Sequence, residues 1–394
     1  MKPLGLYIHI PFCKNRCAYC DFHSNKTTSQ KYMADYTKVL CQHITEGALK
    51  DSDYEVDTLY FGGGTPSWLG AKNLIKIAKT VYKSFQVLQD CETTLEANPD
   101  TVDLKLLKKL KKAGFNRISF GMQSSNPMEL SDLGRTHSYE QVKEAVALAR
   151  KAKFENISVD LMYGIPSQTE QTWKKTIEDA ISLDVEHISC YALKLEEGTR
   201  LFEQKGEFLF PDDDTVADMY LYAVERLEAA GFAQYEVSNF AMPGYRCKHN
   251  YKYWNLGEYW GVGPSAYSFL SRMRFSYIAH TDRYMQAVKN GDTVIQNSEK
   301  AEGIERAGEY LMLMLRTTDG ISRSVMEKKY LIDFDEIESC LQKYETDGYA
   351  VFRDGTWRLS PKGFLISNTI ISDLLIALEN SKHLTGAHFA QLRR

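Results

Sequence analysis

The sequence predicts an α/β fold in which six strand–helix repeats build a parallel sheet, followed by a smaller, mainly helical domain. Two observations predict this fold. Up to residue 193, segments whose apolar residues alternate, as in strands, take turns with segments of helical period. Near the C-terminus, helical segments surround two alternating strands joined by an Asp-Gly turn, which is the order of a winged-helix-like domain.

The repeats occupy successive segments of the chain. Strands are predicted at 4–10, 56–61, 91–97, 116–122, 156–164 and 186–193, and helices at 29–50, 71–85, 102–114, 138–152 and 169–183. Ser138 is placed to cap one helix and Gly114 to end another. Strands that alternate with helices pair in parallel through crossover connections. At this level the sheet is either an open doubly wound sheet or a partial barrel.

The sequence pattern changes twice in the remaining chain. Residues 201–300 are less regular and rich in aromatic residues, apart from a capped helix at 212–231. After residue 300, predicted helices at 302–316 and 334–347 precede the hairpin at 349–360 and a last helix. The predicted domains are 1–200 for the repeats, 201–300 for an aromatic-rich extension and 301–380 for the helical, winged-helix-like domain.

Composition excludes several classes of protein. The formal net charge is -4, and residues 301–380 carry nine basic against fourteen acidic residues, which argues against a duplex-binding winged helix. No apolar run approaches the ~20 residues of a membrane span, and the N-terminus makes a poor signal peptide. We therefore expect a soluble, cytoplasmic protein that binds no nucleic acid. Clustered cysteines in that compartment indicate metal or redox chemistry before disulfides.

Polar or glycine-rich groups follow five consecutive predicted strands. They are His9 with the cysteine loop behind it, the GGGTP segment at 62–66, Glu96, Gln123 and Asp160. Alone, each could be a tight turn or a solvated strand end. Ligands of parallel β/α folds bind at the carboxyl ends of the strands. Five such groups at one edge therefore predict a binding site.

Cys13, Cys17 and Cys20 form a Cys-x3-Cys-x2-Cys pattern directly after the first predicted strand. Iron–sulfur clusters are held by cysteine thiolates, commonly four. Three cysteines hold three irons of a [4Fe–4S] cluster and leave the fourth iron open to a ligand. A zinc site completed by His23 is the competing interpretation.

The cysteine spacing and the glycine-rich second strand end resemble the radical SAM superfamily, in which S-adenosylmethionine (SAM) chelates the open iron. The stretch "YIHIPFC" at 7–13 narrows the resemblance to the HemN/HemW group, which contains oxygen-independent coproporphyrinogen III dehydrogenase (also called oxidase). The resemblance covers nearly the whole chain. It implies a partial (β/α)6 TIM-type barrel with a C-terminal, mainly helical, winged-helix-like domain.

The resemblance also implies the residues that bind SAM. Tyr7, Gly63 and Glu96 would contact the cluster-bound SAM. A second SAM would contact residues that match positions of the dehydrogenase, namely Tyr19, Gly64, Thr65, Gln123, Arg135 and Asp160. These residue types suit the task, because glycine lets the backbone approach a ligand and arginine pairs with carboxylates.

Two features depart from the dehydrogenases and favour the HemW branch, whose members are proposed to be haem chaperones. The dehydrogenases have a fourth cysteine where this chain has Phe22. His249-Asn250-x-x-Tyr253-Trp254 resembles the HNxxYW motif of that branch. We expect His249 as the first candidate haem ligand and Cys247 as the second, since imidazole and thiolate both ligate haem iron. Aromatic residues expected around them are Phe240, Tyr245, Tyr251, Tyr253, Trp254, Tyr259, Trp260 and Tyr267.

The expected function is to bind haem as cargo and pass it to an acceptor haem protein, such as a respiratory protein at the membrane. The cluster and SAM would then serve regulation, formation of a homodimer, or a radical step. The first alternative is an enzyme that oxidatively decarboxylates coproporphyrinogen III, which the absence of the fourth cysteine argues against. The second is a radical SAM methyltransferase or haem-opening enzyme.

Overall fold

The computed structural model describes residues 1–48 and 53–384. Six parallel strands run through its first half: Lys2–Ile10, Tyr54–Gly63, Val87–Ala97, Arg117–Gln123, Asn156–Tyr163 and His187–Ala192. These strands are neighbours in the sheet in the same order as in the chain. Because every crossover then steps in the same direction, the helices cover one face, as in a (β/α) barrel, whereas a doubly wound sheet reverses its order. The partial barrel is therefore the correct alternative.

The long helices of this half agree with the predicted ones to within a few residues. They are Gln30–Glu46, Ala71–Ser84, Leu104–Lys112, Tyr139–Lys151, Glu170–Ile181 and Asp213–Ala229. Capping explains several of their starts: Ser138 with Gln141, and Thr169 with Thr172, form reciprocal capping boxes. The first helix was predicted to reach residue 50, and the last two residues of that prediction lie outside the described residues.

The two faces of the sheet differ in chemistry, because residues in register across parallel strands share a face. Phe61, Leu95 and Ile118 follow one another in register on the face covered by helices, and all are fully buried. The opposite face, called the inner face below, is polar. Its register rows are Thr58 with Glu92; Tyr60 with Thr94 and Arg117; Glu96 with Ser119, Ser158 and His187; and Asp160 with Ser189.

Both edges of the six-strand sheet are extended by further strands that the sequence patterns did not predict. Tyr259–Val262 pairs in parallel with the first strand, and Tyr267–Leu270 and Met273–Tyr277 continue antiparallel from it. Ile295–Lys300 follows on that side, and Asn239–Ala241 lies next to the sixth strand. Since the first and sixth strands pair with these additions and not with each other, the barrel is open.

The chain forms two compact units, which are considered separately. The first comprises residues 1–233, 240–249 and 257–299, and the second residues 234–239, 250–256 and 300–394, the latter described to residue 384. The second unit is mainly helical, with helices Ile304–Met314, Asp335–Thr346 and Ser367–Asn380. Its hairpin, Ala350–Arg353 and Thr356–Leu359, turns through Asp354 and Gly355, both at positive φ. The three-part division at 200 and 300 stays a prediction.

Short elements complete the described chain. The strands are Phe12–Cys13, Asn25–Lys26 and Ala233–Gln234; the helices are Pro127–Asp132, Arg200–Glu203, Lys248–Trp254, Thr281–Asn290, Arg323–Val325 and Pro361–Leu365. Single turns of 3₁₀- or π-helix are Pro66–Leu69, Pro99–Thr101, Lys205–Glu207 and Met326–Tyr330. Over the residues described, no helix is long and apolar enough to cross a bilayer.

Candidate cofactor site

The cysteine loop follows the first strand, at the carboxyl edge of the sheet. Cys13 lies in the short strand Phe12–Cys13, which pairs with Asn25–Lys26, and the backbone N–H of Cys20 donates to the carbonyl of Cys17 at 3.4 Å. All three thiols are free. Within the described ranges, no three His, Cys, Asp or Glu side chains converge on one point as a single-ion site requires. A cluster makes a different demand, since each cysteine binds its own iron.

Two donors point at the sulfur atoms of this loop. Thr65 Oγ1 donates to Cys13 Sγ at 3.4 Å, and Arg135 Nη1 donates to Cys17 Sγ at 3.3 Å. Burial raises the pKa of the Cys13 thiol and raises the pKa of Cys20 to about 11. A hydroxyl donor and a guanidinium oppose that cost by favouring thiolates, which are the ligands that iron binds. The residues present therefore fit an iron–sulfur cluster.

The proposed zinc alternative has no support in the placement of His23. Its Nε2 lies 3.3 Å from Thr281 Oγ1, and its backbone carbonyl is 2.9 Å from His9 Nε2. Burial lowers the pKa of His9 to about 4, so the imidazole of His9 is neutral near pH 7. Its Nδ1 lies 3.1 Å from the hydroxyl of Tyr7. Both histidines thus take part in the polar contacts beside the first strand.

The glycine segment at the end of the second strand is held against the cysteine loop. The N–H of Gly64 donates to the carbonyl of Ile10 at 2.9 Å, and that of Thr65 to Phe12 at 2.8 Å. Gly63 has a φ of 115°, and a Cβ there would lie 2.6 Å from the His9 ring. A Cβ on Gly64 would lie 2.9 Å from Cys13 Sγ. Side chains at these positions would displace the loop.

Glu96 and Asp160 are half-buried carboxylates on the inner face. Tyr60 donates to Glu96 Oε1 at 2.8 Å, and the N–H of Gly63 donates to Oε2 at 3.1 Å. Burial raises the pKa of Glu96 to about 7; the charge of Asp160 acts in the same direction, and the Tyr60 hydrogen bond opposes it. Burial also raises the pKa of Asp160, which accepts from Ser119 Oγ at 3.1 Å. The positive charge of Arg117 lowers both values.

Arg135 contacts the cysteine loop, and both it and Gln123 lie close to Gly121. Gln123 ends the fourth strand with a φ of 65°, which is a strained backbone conformation. The register with the fifth strand is irregular at this point, so the side chain leaves the regular alternation of the strand. Arg135 Nη2 donates to the Gly121 carbonyl at 2.6 Å and to Asn98 Oδ1 at 3.1 Å. Tyr19 packs against an apolar cluster made of Ala18, Leu133, Met162, Ile165 and Leu201.

The structure thus brings six of the nine predicted SAM-binding residues into two adjacent groups. Glu96 and Gly63 are bonded to each other, and Tyr7 is in register with Tyr60, which donates to Glu96. Thr65, Gly64 and Arg135 contact the cysteine loop. Their roles toward SAM stay predictions.

The two candidate haem ligands lie deep on the inner face, away from the cysteine loop. Cys247 and His249 are both fully buried. His249 Nδ1 lies 2.8 Å from Thr58 Oγ1, and its ring stacks on Tyr60 at 5.0 Å between centroids. The carboxylate of Glu92 accepts the backbone N–H of His249 at 3.1 Å and is 3.6 Å from Cys247 Sγ. The first turn of helix Lys248–Trp254 therefore closes the amino-terminal end of the inner face.

The aromatic residues expected around His249 do not form one wall. Trp260 is in register with Leu6, on the helix-covered face, and its Nε1–H donates to Tyr277 at 2.7 Å. Tyr267 is 62% exposed, and Tyr251 donates to Asp319 within the second unit. Rings that contact His249 include those of Tyr60 and Tyr7, which the aromatic count around residue 250 overlooked.

Four further residues were missed by the sequence analysis: Thr58, Tyr60, Glu92 and Arg117. All lie on the inner face. A signal existed, because polar residues at every second position of a buried parallel strand, such as Thr58-x-Tyr60 or Glu92-x-Thr94-x-Glu96, indicate a polar lining. Asn98, which bonds Arg135, lay within the "EANPD" stretch after the third predicted strand.

Comparison with known proteins agrees with this geometry. The Radical SAM superfamily matches residues 7–180, and the HemN C-terminal domain matches residues 302–366. The solved structure "Coproporphyrinogen III oxidase (HemN) from Escherichia coli is a Radical SAM enzyme" superposes with a TM-score of 0.83. It is 22% identical and covers 96% of this chain and 90% of its own, which supports the fold alone. The superfamily implies a [4Fe–4S] cluster and SAM as cofactors.

Curated relatives match over nearly their full length. "Heme chaperone HemW" from Bacillus subtilis is 34% identical over 94% of this chain and 98% of the relative. The protein of the same name from Escherichia coli is 32% identical over 94% and 98%. That from Mycobacterium tuberculosis is 32% identical over 95% of each chain. The chain therefore belongs to the HemW family of the radical SAM superfamily.

Proposed function

We propose that this chain is a haem chaperone, which binds haem through the segment 247–254 and passes it to an acceptor haem protein. Cys13, Cys17 and Cys20 hold a [4Fe–4S] cluster whose fourth iron binds SAM. The proposal is supported by relatives named as haem chaperones that align from end to end. It also places the chain in the cytoplasm, where its eight cysteines stay reduced.

The observation that carries the proposal is the position of His249. Its ring stacks on Tyr60, and the hydroxyl of Tyr60 donates to Glu96, the predicted SAM contact. The HNxxYW motif and the cofactor site are thereby joined by two successive side-chain contacts. Cys247 is also fully buried, and Glu92 accepts from its Sγ as well as from the N–H of His249, so both candidate ligands for haem iron lie beside one carboxylate.

In this conformation His249 is enclosed by protein. Ligation of haem iron by its imidazole therefore requires the first turn of helix Lys248–Trp254 to withdraw from Glu92 and Thr58. The proposal thus includes a closed state, which the structure describes, and an open state in which the histidine reaches the porphyrin. Haem stabilises the open state only by the difference in its affinity for the two states.

The chain's own residues prepare the cluster site. Thr65 donates to Cys13 and Arg135 to Cys17, and Glu96, once ionised, would pair with the amino group of SAM. The cluster supplies an iron site with an open coordination position. At the position of the dehydrogenases' fourth cysteine, Phe22 is 65% exposed and brings no ligand. We therefore expect no conversion of coproporphyrinogen III when SAM and a reductant are supplied.

The test is an anaerobic titration of the reconstituted protein with haem, followed by absorbance. We expect a saturable Soret shift at one haem per chain, with affinity about tenfold weaker or more in His249→Ala, which corresponds to ~1.4 kcal/mol. His187→Ala is the matched control, because His187 is also fully buried on the inner face and bonds Ser158 Oγ at 2.7 Å. Equal loss in both variants, or no saturable binding in the wild type, contradicts the proposal.

A further inference from the structure

Two neighbouring helices of the first unit carry an unusual concentration of positive charge. Ala71–Ser84 and Leu104–Lys112 pack against each other on the helix-covered face of the sheet. Together they contain nine lysines and no acidic residue. The whole chain has a net charge of -4, so the remainder carries -13. Such an asymmetry creates a local positive potential on a protein that is acidic overall.

The lysines form two stripes along the outer sides of these helices. In the first helix they occupy positions 72, 76, 79 and 83, and in the second 105, 108, 109 and 112, which are helical spacings of three and four residues. All eight are exposed. Leu74, Ile77, Leu107 and Leu110 occupy the opposite, fully buried sides. The ninth, Lys111, lies over the ring of Phe154.

These charges are not neutralised by neighbours. Among the described residues, the ion pairs involve none of the nine lysines, and the carboxylate nearest to them in sequence is that of Asp103, which caps the second helix. Elsewhere on the surface, lysines such as Lys31 and Lys175 pair with acids one turn away. Eight exposed, unneutralised ammonium groups therefore stand on a surface about 21 Å long, the length of a 14-residue helix.

We propose that this lysine face, defined by the eight exposed lysines of helices 71–84 and 104–112, docks on the surface of an anionic lipid bilayer. The face has lysine and no arginine, and arginine is the residue suited to bidentate recognition of individual phosphates. Lys72, Lys76, Lys79 and Lys83 border a shallow depression of about 360 Å³ that is wide open to solvent, and the other four lie along the second helix. This distribution complements a diffuse negative surface, to which each nearby lysine adds attraction. The inference does not depend on haem binding.

The experiment is flotation of the full chain with vesicles of phosphatidylcholine containing 30% phosphatidylglycerol, compared with phosphatidylcholine alone. We expect binding to the anionic vesicles only, and loss of most of it on raising the salt from about 50 to 300 mM, because exposed charges are screened. Replacing Lys72, Lys76, Lys79 and Lys83 by Gln should weaken partitioning about tenfold or more.

Two controls separate this face from net charge and from misfolding. Replacing Lys151, Lys205, Lys289 and Lys362 by Gln removes the same charge from exposed positions elsewhere and should leave binding within about twofold. Replacing the four lysines of helix 71–84 by Arg keeps the charge and should keep the binding. Equal loss in both Gln variants, binding to neutral vesicles, or capture by duplex DNA or an acidic protein but not by anionic vesicles overturns the proposal.

Discussion

The two ends of the inner face are built in opposite ways. At the carboxyl end, loops carry thiols and glycines, and donors such as Thr65 and Arg135 point at the sulfur atoms of Cys13 and Cys17. At the amino end, His249 is fully buried, and Glu92 accepts from two successive backbone N–H groups, those of Lys248 and His249. The first end presents thiols and their donors, whereas at the second end the polar groups of the motif bond to other parts of the protein. The difference shows that the thiols are already arranged side by side, while the histidine of the HNxxYW motif is closed off by protein.

The largest effect is expected from removing the thiols at the carboxyl end. A triple Cys13/Cys17/Cys20→Ala variant should lose all cluster iron, because no other described group converges to replace them. If the two ends are independent, haem affinity should stay within about twofold, since distant sites are usually additive. Iron and sulfide analysis, with the haem titration on the same sample, measures both. Retained iron would refute the cluster assignment, and lost haem affinity would show that the ends are coupled.

Opening the amino end should have the next largest effect. Glu92→Gln keeps the size of the side chain but removes the charge that holds the helix turn, so unfolding should become easier by about 1–3 kcal/mol. The haem association rate should rise about tenfold, because the closed state is destabilised relative to the open state by a similar free energy. Stopped-flow absorbance measures the rate, and thermal or urea unfolding measures the stability.

Glu96→Gln is the reciprocal control, as it changes a carboxylate of the same strand at the other end. It should weaken SAM binding and leave the haem association rate unchanged. An unchanged rate in Glu92→Gln would mean that the helix turn does not have to move for haem to bind. The amino end would then not be closed to haem in the way described above.

The smallest effect concerns the charge state of Glu96. Its pKa of about 7 implies that SAM affinity rises with pH, by about tenfold between pH 6 and 8 if only the carboxylate binds. Tyr60→Phe removes the hydrogen bond that lowers this pKa, so the midpoint should move to higher pH. Asp160, Arg117 and the N–H of Gly63 remain around the carboxyl. Calorimetric titration with SAM measures the profile, which should be flat in Glu96→Gln.

The same group affects stability in the opposite direction. Its folded-state pKa lies above the ordinary value of 4.5, so the folded protein favours the protonated carboxyl. The stabilisation is complete below pH 4.5 and is lost as pH rises through 7. SAM binding and stability therefore change in opposite senses across neutral pH, which distinguishes this carboxyl from a surface glutamate.

Much of the fold followed from local patterns. The alternation of strand and helix periods predicted all six parallel strands, and the caps at Ser138 and Thr169 set helix starts to within a residue. The winged-helix-like hairpin followed from the Asp354-Gly355 turn. These features depend on residues close in sequence, so a single sequence carries them.

The closed state of the haem motif was not predicted, because it depends on partners far away in the chain. Glu92 and Thr58 precede His249 by 157 and 191 residues, and neither belongs to a recognisable motif. Trp260 was grouped with His249 by proximity in sequence, yet the strand Tyr259–Val262 turns it to the other face. Proximity along the chain fails where a strand separates the two faces of a sheet.

The late position of the closing helix turn also orders events during synthesis. The inner face is complete once the sixth strand, His187–Ala192, has left the ribosome, and Lys248 follows 56 residues later. At about 5–20 residues per second, roughly 3 to 11 s separate the two events. During that interval a nascent sheet has its cysteine loop but no closure at its amino end. The order of translation therefore allows the metal centre to be assembled before the histidine is enclosed.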